Sequence, residues 1–242
     1  MDKIKYYFIV TASGIGKRMG FSYPKQFHEI FGKPIFIITL EEIMKSKLID
    51  KIFITTNKEN INKVKSYINE YIIKTDNKEN NKIEIIILEG GSERQYSVYN
   101  ALMYIKNELN YSENKDIIVG VQDAVRPNIK VRYIDDIYNA IVEDSEVDGF
   151  VVGVPSKDTI KIIDDKGYIV DTPKREKVFN AHTPQIFRSS AIIKAYECAK
   201  KDNFLGTDDS SLIERLGGKV KVYIGEYDNI KITTIDDLRF FE

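Results

Sequence analysis

Residues 11–27 read TASGIGKRMGFSYPKQF and follow directly on an apolar run, Tyr6–Val10. A short apolar strand that opens into glycines is how many α/β sheets begin, and what the glycines hold decides which sheet this is. The stretch joins a flexible segment to three cations, Lys17, Arg18 and Lys25. It is not a Walker A loop, because GIGKRMG has neither the spacing nor the hydroxyl after Lys17 that such a loop needs. It is a poor dinucleotide fingerprint as well. Met19 stands where the third glycine belongs, and Gly20 to Pro24 would break the helix that should follow. An open loop remains, whose backbone N–H groups can form a concavity for an anion. Three solvated surface cations are the plainer reading of Lys17, Arg18 and Lys25. The glycines and the strand-end position favour a polyphosphate, whose oxygens those cations would neutralise.

Outward from this loop, short apolar runs alternate with longer amphipathic ones, the pattern of a mostly parallel, Rossmann-like sheet flanked by helices. Strands are predicted over Tyr6–Thr11, Lys51–Thr56, Ile83–Leu88, Asp116–Val121 and Gly149–Val154. Helices are predicted in PIFIITLEEIMKS (34–46), KENINKVKSYINEYI (58–72), ERQYSVYNALMYIKNEL (93–109) and VRYIDDIYNAIVED (131–144), with Pro34 suited to the first helical position. The polar TDNKENNK (75–82) reads as a surface loop. After Pro155 the residues alternate around DDKG (164–167), which reads as a β-hairpin arm over about 156–178 projecting from a single domain of residues 1–242. Helices resume at Ser190–Lys201 and Thr207–Leu216. The chain then closes with strand-like KVKVYIG, DNIKITT and IDDLRFF. Ligands of open α/β sheets sit at the carboxyl ends of the strands. Gly14 and Gly16, Gly90 and Gly91, Asp123, and Lys157 and Asp158 should therefore share one edge.

Bulk composition narrows the partners. Of 242 residues 43% are hydrophobic, enough for a core. Lys+Arg number 36 against 37 Asp+Glu, a net charge of −1, which argues against a nucleic-acid binder. Cys198 is the only cysteine, so neither an intrachain disulfide nor a cysteine-built zinc site is possible. The N-terminal apolar run is too short for a signal sequence, and no stretch approaches the ~20 apolar residues of a membrane span. A cytoplasmic protein with no membrane partner is the expectation.

Four further stretches carry chemistry. EGGSERQYSVYNAL (89–102) pairs glycines with Arg94 and Ser97, though a helix N-terminus with a satisfied Ser and a surface Arg would look alike. VGVQDAVRP (119–127) ends a strand in Asp123 with Arg126 close behind, also readable as a turn-forming Asp with a salt-bridged Arg. KDTIK (157–161) and TPKREKVFNAHTPQIF (172–187) lie on and after the arm. GTDDSSLIERLGGKVKVYIGEYDNIKITTIDDL (206–238) contains Asp208, Ser210 and Glu214, which helix capping would also explain. Together with ASGIGKRMG…PKQF these resemble, over nearly the whole chain, the nucleotidyltransferases that make CDP-alcohols. Within them the nearest match is the 2-C-methyl-D-erythritol 4-phosphate cytidylyltransferase family. Ala12-Ser13-Gly14 stands for the family's Ala-Ala-Gly, Gln122 for its commoner His, Val125 and Ala101 for its Ala and Gly, and His182 for its Gln or Leu.

The resemblance implies transfer of a cytidylyl group from CTP to a polyol phosphate in non-mevalonate isoprenoid biosynthesis, with Mg²⁺ as cofactor and a homodimer formed through the arm. It implies that Arg18 and Lys25 act on the triphosphate, that Arg175 and Lys231 aim the incoming phosphate, and that Ala12, Ser13, Gly14, Gly16, Gly91, Arg94 and Ser97 seat the nucleotide. Asp123, Arg126, Thr159 and Thr183 are assigned to substrate binding, the arm residues reaching a neighbouring subunit. Asp123 and Asn229 are the metal ligands it suggests. His28 and His182 are read as incidental. Ribitol 5-phosphate cytidylyltransferases share DAVRP and PKQF, but DTIK, TDDSSLIE and Ser97 favour the methylerythritol branch. An NAD(P)-dependent oxidoreductase lacks its third glycine here and an acidic residue after the second strand. A catalytically silent nucleotide binder would not be expected to keep Arg18, Lys25, Asp123 and Lys231 together.

Overall fold

The computed structural model describes residues 4–14, 16, 19–21, 23–73, 83–108 and 117–241. In chain order the strands are β1 (Tyr6–Thr11), β2 (Glu29–Ile30), β3 (Lys33–Pro34), β4 (Lys51–Thr56), β5 (Glu84–Glu89), β6 (Ile118–Asp123), β7 (Gly149–Pro155), β8 (Ile162–Ile163), β9 (Ile169–Asp171), β10 (Phe179–Arg188) and β11 (Val220–Ile224). The helices are α1 (Ile35–Ile43), α2 (Ile61–Ile68), α3 (Arg94–Glu108), α4 (Val131–Glu143), α5 (Ser189–Lys201) and α6 (Asp209–Glu214). Seven strands form one sheet in the order β11-β7-β10-β6-β1-β4-β5, parallel except for β10, which runs antiparallel to both its neighbours.

β1 is buried along almost its whole length because both faces of the sheet are covered. Alternate side chains divide the core. Tyr6, Phe8 and Val10 pack with α1, α2 and α4 on one face, while Tyr7 and Ile9 pack with α3, α5 and α6 on the other. Each large apolar side chain buried in this way contributes about 1.5–3 kcal/mol. The parallel register of β1 with β6 places Thr11 opposite Asp123, so the last residues of two central strands meet at one edge.

The strands expected from 6 and from 51 have the expected bounds. That expected over 83–88 begins one residue later, and that expected over 116–121 runs on to Asp123, which pairs with Thr11. Pro34 caps α1 with an extended ψ of 137° instead of opening its first turn, because it is paired with Glu29 in the short β2–β3 ribbon. The expected helix at 58–72 is built of a 3₁₀ turn, α2 and a closing π turn. The polar stretch 75–82 and the start of the strand expected from 116 lie outside the described residues.

Only the first half of the alternating region after Pro155 is an arm. β8 and β9 form a separate two-stranded ribbon whose turn is tied by Asp164 Oδ1, which accepts from the N–H of Lys166 and of Tyr168. Ile162, Ile163, Tyr168, Ile169 and Val170 on it are exposed. The second half returns as β10, inserted between β7 and β6. DNIKITT forms no strand, and IDDLRFF forms a 3₁₀ helix. Among the described residues no helix is long and apolar enough to cross a membrane.

Gly120, in the middle of β6, allows the ring of Phe8 to lie flat against the sheet; a Cβ there would meet that ring at 2.3 Å. Replacing it overfills a packed core, so Gly120→Ala is expected to lower unfolding free energy by about 1–3 kcal/mol, read from urea denaturation. An unchanged urea midpoint would refute this packing.

Candidate active site

The carboxyl ends of β1, β4, β5 and β6 open into one cavity of about 560 Å³. Its first wall is the glycine loop. Ala12 is fixed at both backbone groups: its N–H donates to Thr55 O at 2.8 Å, and its carbonyl accepts from Gln26 Nε2 at 2.7 Å and from Thr56 Oγ1 at 3.2 Å. Gly16 has φ +67°, and a Cβ there would lie 3.1 Å from the Lys25 Cβ. Both its conformation and the close passage of Lys25 call for glycine. Lys25 is 8% exposed; its Nζ donates to Ile232 O at 2.7 Å while the side chain lines the cavity.

The second wall is the turn from β5 to α3. A Cβ on Gly90 would lie 2.0 Å from Ser13 Oγ, so the glycine is what lets the two loops touch. Ser97 Oγ accepts from Gly91 N at 3.0 Å and donates to Glu93 O at 3.1 Å. Ser13 Oγ is buried with no hydrogen-bond partner among the described residues. Ser13, Gly14, Gly91 and Ser97 all line the cavity.

The floor is Asp123, which is 5% exposed and held by three cations. Arg94 Nε donates to its Oδ1 at 2.8 Å, while Lys231 Nζ at 2.9 Å and Arg126 Nε at 3.6 Å approach its Oδ2. Burial alone would push this carboxyl up; Arg94, Lys231 and Arg126 together hold it far below the usual carboxylate range. It is therefore charged at any working pH. Its N–H donates to Thr183 Oγ1 at 3.1 Å. That contact depends on a register shift in β10 between Ala181 and Gln185, which turns Thr183 towards the end of β6.

Beyond Asp123 lies a second cavity of about 340 Å³, lined by Arg126, His182, Thr183, Thr207 and Asp208, and by Arg94, Asp123 and Lys231, which it shares with the first. The two cavities are thus neighbours across one charged floor. Arg126 Nη1 donates to Asn229 O at 2.8 Å. Asn229 Nδ2 donates to Thr183 O at 2.9 Å, and its Oδ1 is buried without a partner among the described residues.

Of the residues singled out in the sequence, Ala12, Ser13, Gly14, Gly16, Lys25, Gly91, Arg94, Ser97, Asp123, Arg126, Thr183 and Lys231 line one cavity or the other. Arg18 and Lys17 lie outside the described residues. Thr159 and Arg175 meet each other on the exposed arm, Nη2 to Oγ1 at 3.0 Å, and line neither cavity. Lys157 also points away, its Nζ 3.6 Å above the Tyr227 ring. Asn229 sits behind the second cavity and does not line it. Asp208 caps α6 with Ser211 as its reciprocal partner, so capping accounts for it. No group of three or more His, Cys, Asp or Glu that could hold a metal occurs among the described residues. Both oxygens of Asp123 are already engaged by cations, so this donor set does not fit a metal cage built by the protein.

Sequence reasoning missed Asp209 and Tyr196. Arg94 Nη1 and Nη2 donate to the two oxygens of Asp209 at 2.9 and 2.8 Å, and the Tyr196 hydroxyl donates to Asp209 Oδ1. The only local signal was the second acid of TDD, left over once Asp208 is assigned to the cap. Gln26, Asn57 and Thr233 also line the first cavity unforeseen.

The chain matches the family model described as IspD: 2-C-methyl-D-erythritol 4-phosphate cytidylyltransferase over residues 6–242. It is 43% identical over 242 residues to the protein of that name from Fusobacterium nucleatum, covering 99% of this chain and 96% of the relative. It is 39% identical over 230 residues to that of Geobacter metallireducens, covering 95% and 93%. Among solved structures, the 4-diphosphocytidyl-2C-methyl-D-erythritol synthase of Anaerococcus prevotii superposes with a TM-score of 0.79 at 31% identity, covering 99% of this chain and 97% of that one.

Burial first, and the charge of Arg126 second, hold the His182 imidazole down to about 4 from an ordinary 6.5. Between those values the unfolded chain binds a proton that the native state does not, so stability falls as pH drops through that window. His182→Gln is expected to reduce the loss of urea-midpoint stability between pH 7 and pH 4.5 relative to wild type. An identical loss in both proteins would remove His182 as its cause.

Proposed function

The chain belongs to the 2-C-methyl-D-erythritol 4-phosphate cytidylyltransferase family, and on that premise we propose how its two cavities divide the reaction. The reaction is CTP + 2-C-methyl-D-erythritol 4-phosphate → 4-diphosphocytidyl-2-C-methyl-D-erythritol + diphosphate, a step of the MEP isoprenoid pathway. CTP occupies the larger cavity and the alcohol phosphate the smaller. The observation that carries this reading is the shared floor, where Arg94, Asp123 and Lys231 border both spaces. Two anions that must react have to be brought within bonding distance, and a cationic floor between them lowers their mutual repulsion.

The pyrimidine and ribose lie between the glycine loop and the β5–α3 turn, against Ser13, Gly91 and Ser97. Lys25 sits beside the triphosphate with Arg18 on the same loop. A phosphate oxygen of the alcohol attacks the α-phosphorus, the bond to the β-phosphate oxygen breaks, and diphosphate leaves. A phosphomonoester has its second pKa near 6, so the nucleophile is ionised near neutral pH and needs alignment more than a base. Lys231 and Arg126 supply that alignment from the floor, with Thr183 at its side. The family is a group of nucleotidyltransferases that generally depend on a divalent cation. We assign Mg²⁺ as the cofactor, whose charge when bound would neutralise triphosphate oxygens; the triphosphate itself would supply most of its ligands, since Asp123 is already engaged by three cations and Asn229 does not line the larger cavity.

The protein is one catalytic domain over 1–242 with an arm at about 156–178. Thr159 and Arg175 line neither cavity of their own chain, while the arm exposes six large apolar side chains, Ile160 among them. Both facts support a homodimer in which the arm covers a second copy and delivers Arg175 to its alcohol-phosphate site. The same residues would serve another polyol phosphate, because one methyl or hydroxyl changes selectivity only modestly.

Diphosphate release with CTP, Mg²⁺ and a panel of alcohol phosphates tests the assignment, with 2-C-methyl-D-erythritol 4-phosphate expected to be the preferred acceptor. Lys25→Ala should lower kcat by ~10², the scale of losing one transition-state charge partner. Arg175→Ala should mainly raise KM for the alcohol phosphate. At alcohol phosphate well below the raised KM, where both variants turn over slowly, mixing them should restore up to about a quarter of wild-type sites, since each mixed dimer keeps one intact site. No recovery on mixing would contradict delivery of Arg175 across the dimer.

A further inference from the structure

Asp209 has no part in capping α6, which Asp208 performs, yet it is fully buried and both its oxygens are engaged. A buried ion pair contributes little to stability compared with apolar packing, so stability alone does not account for it. Its geometry does suggest a use. The guanidinium is a rigid planar fork, and fixing Nη1 and Nη2 on one carboxylate leaves Nε no freedom of direction. That Nε points at Asp123 Oδ1 from 2.8 Å. Tyr196, 1% exposed, sets the other side of Asp209 through its hydroxyl, so the carboxylate cannot rotate away from Arg94.

We infer that Asp209 and Tyr196 are positioning residues for the transfer, acting through Arg94 to fix the direction of Asp123 and the charge of the floor; the inference rests on the functional reading above. At the floor three cations, Arg94, Arg126 and Lys231, stand against two carboxylates, Asp123 and Asp209, leaving one net positive charge. Arg94 borders both cavities, and three of its five N–H groups are held by carboxylates. Without Asp209, Arg94 would keep only its Nε contact to Asp123, and Nη1 and Nη2 would be unrestrained at the junction of two anion sites. They would then bind either phosphate in the ground state, and Nε would no longer hold Asp123 in a fixed direction for Lys231 and Arg126 to organise around. Asp209 thus restrains ground-state anion binding in favour of alignment, which is where binding energy raises turnover.

Asp209→Asn and Tyr196→Phe separate charge from orientation. Steady-state kinetics, calorimetric titration of CTP with Mg²⁺, and thermal melts would be run on each beside wild type. Asp209→Asn removes a negative charge, so its Kd for CTP should tighten by roughly two- to fivefold while kcat falls at least about tenfold. Tyr196→Phe keeps the charge, so Kd should stay within about twofold while kcat falls about three- to tenfold. A merely structural role would lower Tm without tightening CTP binding. Wild-type kcat in Tyr196→Phe, or weakened CTP binding in a folded Asp209→Asn, overturns the inference. Where Asp209→Asn does not fold, Tyr196→Phe alone decides. A wild-type protein that releases no diphosphate from CTP would instead sink the functional reading itself.

Discussion

One buried carboxylate organises this molecule's chemistry. Asp123 closes the central strand of the sheet and draws three cations to a single point, where desolvation would otherwise forbid any of them to collect. Each cation arrives from a different part of the chain: Arg94 from the start of α3, Arg126 from the turn after β6, and Lys231 from the C-terminal segment. A carboxylate held so far below its usual range does not titrate in the working range, so it serves as a fixed negative anchor. Cations kept in place by a permanent countercharge are preorganised for a phosphate and need little rearrangement when it arrives.

The fold supplies that point by register. Pairing of β1 with β6 sets Thr11 against Asp123, and the glycine loop must then leave the sheet beside the carboxylate. Gly16 and Gly90 permit the close passages that bring Lys25 and Ser13 to the wall. On the opposite side, β10 contributes Thr183 only because the strand is irregular there. The site therefore has one wall made by parallel strand ends and another by an antiparallel insertion.

Much of this was legible in the sequence, and the limits have physical causes. Strands such as Tyr6–Thr11 are short apolar runs bounded by turn residues, and both periodicity and length mark them. β10 was not legible, because Pro184 interrupts it and its first half, FNAH, is polar on an exposed flank; it merges with the arm into one alternating stretch. The glycine loop, Asp123 and Lys231 could be singled out as chemistry-bearing residue types at strand ends or in family motifs. The Arg94–Asp209 pair could not. It joins residues 115 positions apart, and nothing local in either segment signals the other. The sequence placed Arg94 at the nucleotide, whereas the structure engages its guanidinium largely with carboxylates.

The most direct test of this account is turnover of CTP with 2-C-methyl-D-erythritol 4-phosphate by Asp123→Asn, a change that keeps shape and removes only the anchor's charge. With Arg94, Arg126 and Lys231 no longer gathered on a common counterion, kcat should fall by about a hundredfold or more, or at least about 2.7 kcal/mol in barrier, in a protein that remains folded. Turnover within threefold of wild type would contradict the claim that this carboxylate organises the site.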